Sequence, residues 1–264
     1  MSVFSVKMIC DGTWQITEGT GSEAVYMYLF EGKERCMLLD TGYGEIPLPE
    51  IIQNISRKPL TVVLSHGHFD HIGGSFHFPE VFISESDIET YRINSEILKL
   101  DHIPVSTRVK KLPVSPGGKI VPINLGMRQI SFIPVPGHTV GSICCFDSVT
   151  RNLFTADTCC KGDVLLCMRT STSLETYSES INKLLTLESN VHETWPAHHE
   201  TPLGTRIFHE YREALDIMFS GKAKLENTVC FGNEALRFKY QDIGIVIKKG
   251  AYEHGYWKNG ILCR

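Results

Sequence analysis

Ser65-His66-Gly67-His68-Phe69-Asp70-His71-Ile72-Gly73-Gly74 follows directly on Leu60-Thr61-Val62-Val63-Leu64. The earlier run is short, apolar and β-branched, which predicts a buried strand. The later run packs three imidazoles and one carboxylate into six residues at the end of that strand. His and Asp are donors that suit Zn and similar borderline cations. Four such side chains cannot all point one way from a regular strand, but a loop leaving a strand end can fan them around two neighbouring ions. Gly73-Gly74 gives the backbone room to turn. A single histidine here would read as an ordinary loop residue; three with an aspartate at this spacing read as a metal centre.

Outward from this stretch, other strands also end on polar residues. Residues 25–30 and 35–39 predict a hairpin, its second strand delivering Asp40-Thr41-Gly42. Residues 81–83 read as a strand and 86–100 as a helix capped by Ser86 or Asp87. Residues 101–118 are irregular. A strand at 130–135 reaches Pro136-Gly137-His138-Thr139, and strands follow at 142–146 and 152–155, the latter ending at Ala156-Asp157. A helix over 174–187, capped by Ser173, carries apolar residues at helical spacing. A strand at 191–195 ends at Pro196-Ala197-His198, a helix spans about 206–219, and alternation over 235–247 predicts a terminal hairpin. This order argues for packed α and β layers. Taken singly, His138 is a turn histidine, Asp157 a cap and Asp40-Thr41-Gly42 a turn. Their occurrence together and in order raises them above those readings.

His66-Gly67-His68-Phe69-Asp70-His71 resembles the HxHxDH signature of the metallo-β-lactamase superfamily, and the other family motifs follow in order. Leu38-Leu39-Asp40-Thr41-Gly42 is similar to the first, Pro136-Gly137-His138-Thr139 to the third, Phe154-Thr155-Ala156-Asp157-Thr158 to the fourth and Pro196-Ala197-His198 to the fifth. The resemblance spans about residues 23–204. It implies a four-layer αββα sandwich with the metal site at one edge of its two sheets. It also implies that His66, His68 and His138 hold one metal and Asp70, His71 and His198 a second. Asp157 bridges them together with a water or hydroxide, and Asp40 supports the ligand loop. The fifth motif favours His198 over His199 as ligand. The implied cofactors are two divalent ions, Zn2+ foremost, with Fe or Mn as alternatives.

Such a site implies a hydrolase in which a metal-bridging hydroxide attacks a small carbonyl substrate: ester, lactone or thioester. Asp70 and Asp157 are its candidate catalytic carboxylates, with a protonated Asp70 assisting the leaving group. The alternatives are a small-molecule phosphodiesterase and a mononuclear iron sulfur dioxygenase. The 264 residues, 42% apolar and 21% charged, are read as one domain with an insertion near 86–118 as candidate lid. Tyr91, Ile97, Leu98, Leu100, Ile103 and Val105 are its candidate pocket lining. The net charge of −4 is mild and lacks long runs, so a small-molecule substrate is expected rather than a nucleic acid. No run is long enough to span a bilayer and the N-terminus does not read as a signal peptide, which predicts a cytoplasmic protein without a membrane partner. Nine scattered cysteines without a CxxC pair are expected to be reduced, Cys159 and Cys160 as small buried residues.

Overall fold

In the computed structural model, residues 3–99 and 109–250 are described. Strands β1 (Phe4–Cys10), β2 (Thr13–Glu18), β3 (Val25–Glu31), β4 (Cys36–Leu39), β5 (Leu60–Val63), β6 (Val81–Ile83) and β7 (Val109–Lys111) form a seven-stranded sheet in sequence order. It is antiparallel up to β4 and parallel from β4 onward. A five-stranded sheet holds β8 (Ile123–Asn124), β9 (Gln129–Pro134), β10 (Ile143–Asp147), β11 (Leu153–Ala156) and β13 (Thr194–Pro196), in the order β13-β11-β10-β9-β8. A third sheet, β12-β16-β15-β14, contains β12 (Gly162–Leu166), β14 (Leu225–Cys230), β15 (Asn233–Tyr240) and β16 (Ile243–Lys248). The helices are α1 (Leu48–Ile55), α2 (Phe69–Ile72), α3 (Ile88–Ile97), α4 (Leu174–Leu187) and α5 (Arg206–Phe219).

The two-residue period of the strands sorts their side chains into layers. In β3 and β4, Met27, Leu29, Cys36 and Leu38 face outward into a cluster with Leu48, Ile51 and Ile52 of α1 and Tyr91 of α3. Tyr28, Phe30, Met37 and Leu39 face inward, where they meet Phe132, Ile143, Cys145, Phe154 and Trp195 of the second sheet. The far side of that sheet presents Cys144 and Leu153 to Tyr177, Ile181 and Leu184 of α4 and to Phe208, Tyr211 and Leu215 of α5. The result is helix, sheet, sheet, helix, as the resemblance implies. Strands of this double-covered interior are apolar throughout, which is why β4 and β5 read so clearly.

Helices α4 and α5 lie where their periodicity predicts. Ser173 caps α4, its hydroxyl accepting from the Thr176 N–H at 3.3 Å. The terminal hairpin forms from β15 and β16 and joins β12 in the third sheet. Two short helices escape the sequence reading. Pro47 and Pro49 hide the Leu48, Ile51, Ile52 stripe of α1 inside what looks like a turn. The single turn of α2 is too short to show a period. Asp87 precedes α3 as expected of a cap, but its carboxylate accepts instead from the N–H groups of Gly67 (2.6 Å) and Gly141 (3.0 Å). It thereby ties the ligand loop to the loop that carries His138.

Candidate metal centre

Every predicted ligand, and the supporting Asp40, follows the C-terminal end of a strand. Asp40 follows β4, and His66 and His68 follow β5; Asp70 and His71 sit on α2. His138 lies between β9 and β10, while Asp157 and His198 follow β11 and β13. The two strand groups open at the same edge of the sandwich. Gly73 and Gly74 serve close approach rather than a special dihedral. A Cβ on Gly73 would lie 2.1 Å from the Tyr43 carbonyl, and one on Gly74 2.5 Å from that of Thr41. This packing holds α2 against the Asp40 loop, where Thr41 donates both its N–H and its hydroxyl to the His71 carbonyl, each at 2.8 Å.

The seven candidate ligands meet in three overlapping sets whose donor atoms lie within 4.8 Å of one another: His66, His68 and His138; Asp70, His71 and His198; and His66, His71 and Asp157. Asp157 spans the first two sets. Its Oδ2 is 3.4 Å from Nε2 of His138, and its Oδ1 is 3.3 Å from Nε2 of His71 and 3.5 Å from Nε2 of His198. His198 Nε2 also lies 3.3 Å from Asp70 Oδ2. His199 stands outside these sets, its ring packed over Gly162.

The outer hydrogen bonds fix which ring nitrogens face inward. Carbonyl oxygens only accept, so His138 donates from Nδ1 to Leu165 O (2.9 Å) and His198 from Nδ1 to Ala24 O (2.8 Å). Asp40 accepts from Nδ1 of His71 (2.9 Å) and from the Ser65 hydroxyl (2.8 Å) through Oδ2, and from the Ser65 N–H (2.7 Å) through Oδ1. The Ser65 oxygen lies 3.0 Å from Nδ1 of His66 and accepts from it. Nε2 is thus the nitrogen that His66, His71, His138 and His198 each turn toward a common centre, where it would offer a lone pair to a bound cation. His68 offers Nδ1, 2.8 Å from Nε2 of His138.

This donor set fits metal cations. His66 Nε2 and Asp157 Oδ1 are buried atoms without a hydrogen-bond partner among the described residues. Leaving such atoms bare costs about 1–3 kcal/mol each, which a bound cation would remove. The protonation balance agrees. Burial, reinforced by the charge on His71, pushes His66 well below the ordinary imidazole range; burial next to His138 lowers His68 to about 3. Burial would lower His71 and His198 too, but the Asp157 and Asp70 carboxylates outweigh it and raise both. Burial would raise Asp157 and Asp70, but His71 and His198 hold both carboxyls below their usual range. The site therefore holds carboxylates that demand positive charge. The same neighbours favour the ionised form of Asp70 in this arrangement.

Asp40 and Ala156 have positive φ, 65° and 46°. Aspartate tolerates that region, whereas alanine pays about 1–2 kcal/mol there. The Ala197 N–H donating to Ala156 O at 3.1 Å holds the bend that turns Asp157 inward.

A cleft of about 560 Å3 opens over the centre, lined by Asp70, His138, Asp157 and His198 together with Tyr43, Phe69, Cys160, Leu165, Phe231 and the acidic Glu23, Glu45 and Asp163. No described lining residue is Lys or Arg. Phe231, Tyr43 and Leu165 are lining residues the sequence did not single out. The turn signal Gly232-Asn233 between alternating strands was the only clue to Phe231. The described part of the 86–118 insertion does not line this cleft. Tyr91 is buried beneath the ligand loop, its hydroxyl 2.8 Å from Ser75 Oγ; Leu98 packs on the same outer cluster, and Ile97 is exposed. Leu100, His102, Ile103 and Val105 lie outside the described residues. Cys159 and Cys160 are buried, and burial raises both thiols. All eight described cysteines are free.

The model of the metallo-beta-lactamase superfamily matches residues 20–224. The chain is 27% identical to acyl-coenzyme A thioesterase MBLAC2 of Homo sapiens, the match covering 78% of this chain and 84% of that protein. It is 26% identical to a hydroxyacylglutathione hydrolase of Nitrosomonas europaea, over 50% of this chain and 44% of the relative. Among solved structures, a metallo-beta-lactamase from Pontibacter korlensis superposes with a TM-score of 0.62 at 17% identity, covering 81% of this chain and 99% of the other.

Proposed function

Because the chain belongs to the metallo-β-lactamase superfamily and is a metal-dependent hydrolase, we propose that it cleaves an acyl thioester at a centre holding two zinc ions. His66, His68 and His138 hold one ion, Asp70, His71 and His198 the other, and Asp157 reaches both. When bound, the ions supply a water of lowered pKa and a Lewis acid for the thioester carbonyl. The chain's own residues do the rest. Asp40 and Ser65 orient His71 and His66, Leu165 O and Ala24 O orient His138 and His198, and the cleft holds the substrate in a space suited to a small molecule.

The observation that carries the thioester reading is the match, over 78% of this chain and 84% of the relative, to a protein named as an acyl-coenzyme A thioesterase. The hydroxyacylglutathione hydrolases also act, by name, on an acyl group carried by a thiol. Chemistry at the site points the same way. A thiolate, the conjugate base of a thiol of pKa about 8.5, departs with little need of a proton donor.

The test is a substrate panel with the zinc-loaded protein: an acyl-coenzyme A thioester, the matching oxygen ester, a lactone and a bis-aryl phosphodiester. The thioester should lead in kcat/KM by about a hundredfold (roughly 2.7 kcal/mol), with activity lost to chelator and restored by zinc. A phosphodiester or lactone preference would overturn the reading.

A further inference from the structure

We propose that the tip of the β14–β15 hairpin, through Phe231, is an acyl-binding clamp that selects thioesters by the apolar length of their acyl group. The proposal rests on the thioesterase reading above. The hairpin starts at Leu225, just beyond the residues 20–224 matched by the family model.

Cys230 pairs with Asn233, which leaves Phe231-Gly232 as a two-residue turn. Both residues have positive φ, 45° and 78°. Such turns favour Asn-Gly or Gly-Gly, and a bulky aromatic is among the poorest choices for the first position. The ring does not repay this by entering a core, since Phe231 is 61% exposed. It lies instead edge-on to Phe69, with centroids 5.9 Å apart and planes at 84°. Phe69 stands between His68 and Asp70 in the ligand loop and in turn meets Tyr43 at 6.1 Å. The turn thus accepts an unfavourable residue in order to hold an aromatic ring at the mouth of the cleft.

The root of the hairpin is held in place. Cys230, Ala235 and Val246 pack with Leu165, Cys167 and Met168, and Leu165 itself lines the cleft. Phe231, Phe69, Leu165 and Tyr43 therefore make an apolar wall running from the solvent edge to Asp70 and Asp157. Glu23, Glu45 and Asp163 stand elsewhere on the rim, with Asp163 paired to Arg237. In an acyl thioester, the apolar portion bonded directly to the reacting carbonyl is the acyl chain, and the wall begins at the residues around that carbonyl. The acyl chain is the part of the substrate whose apolar surface matches this wall.

Phe231→Asn is the deciding variant, because it suits the turn while removing the ring. Its Tm should equal or exceed that of the wild type. For decanoyl-coenzyme A, kcat/KM should fall about tenfold or more, the equivalent of losing contact with two methylenes. For acetyl-coenzyme A it should stay within about twofold, and Phe231→Leu should restore most of the long-chain rate. Equal chain-length profiles in wild type and Phe231→Asn, or an equal fall for both substrates, would overturn the clamp. Binding of the non-hydrolysable S-decyl and S-ethyl thioethers of coenzyme A separates the clamp from the reaction. If the wild type hydrolyses no thioester, a preference for the decyl thioether that Phe231→Asn abolishes still supports the clamp. Equal binding of both thioethers by the wild type overturns it.

Discussion

Asp40 shows how one residue outside the ligand sets controls them. It is buried, and its two oxygens accept from Ser65 N–H, Ser65 hydroxyl and His71 Nδ1–H. Asp40→Asn keeps a residue type that tolerates the positive φ, so the backbone should persist. Its amide nitrogen cannot accept, so Ser65 and His71 lose their common acceptor and the two imidazoles lose their orientation. Zinc affinity, measured by competition with a chelator, should fall about 10–100-fold; an unchanged affinity would contradict this supporting role. The ligand residues were legible in sequence because His and Asp donors recur at the ends of predicted strands in a fixed order. Ser65 and Phe231 were not, because their roles come from the third dimension. Ser65 matters as the relay from Asp40 to His66, and Phe231 as a ring brought from a distant hairpin onto Phe69.

Among the elements, the two facing sheets are joined near their edge by one buried guanidinium, that of Arg128. Arg128, ahead of β9, donates to Asp147 at the end of β10 (Nη2–Oδ2 2.6 Å, Nε–Oδ1 3.1 Å). The same guanidinium donates to Gly12 O in the β1–β2 turn and to Glu31 O at the end of β3 (3.0 Å). Its carbon lies 5.4 Å from the centre of the Phe30 ring. Arg128→Met keeps an apolar stem but strands the buried Asp147 charge and the carbonyls that Arg128 serves. It should destabilise by about 3–5 kcal/mol in urea titration; a loss below about 1 kcal/mol would show that the Arg128 guanidinium does not tie the sheets together. Long amphipathic helices such as α4 and double-covered strands such as β4 and β5 were readable from their periods. β1 was not, although Phe4-Ser5-Val6-Lys7-Met8 alternates: its apolar residues stay exposed, so no buried run marks it. The third sheet was only half readable: the β15–β16 hairpin follows from alternation, but its parallel pairing with β12 is a long-range choice no local pattern encodes.

At the scale of the whole molecule, the layers bring strand ends from both sheets to one edge, and seven donors from separate parts of the sequence converge there. No described helix is long and apolar enough to cross a membrane. The fold was legible because its motifs sit at the carboxyl ends of the strands that build it. Substrate choice was not, because it depends on the cleft wall, to which β12 and the β14–β15 hairpin contribute from outside the motifs. The central claim is that these donors hold two ions that Asp157 reaches together, and the direct measurement is elemental analysis of protein purified without chelator, for the wild type and Asp157→Ala. The account predicts close to two zinc ions per chain in the wild type, with clear loss in the variant. No bound metal, or a single iron per chain, would contradict it.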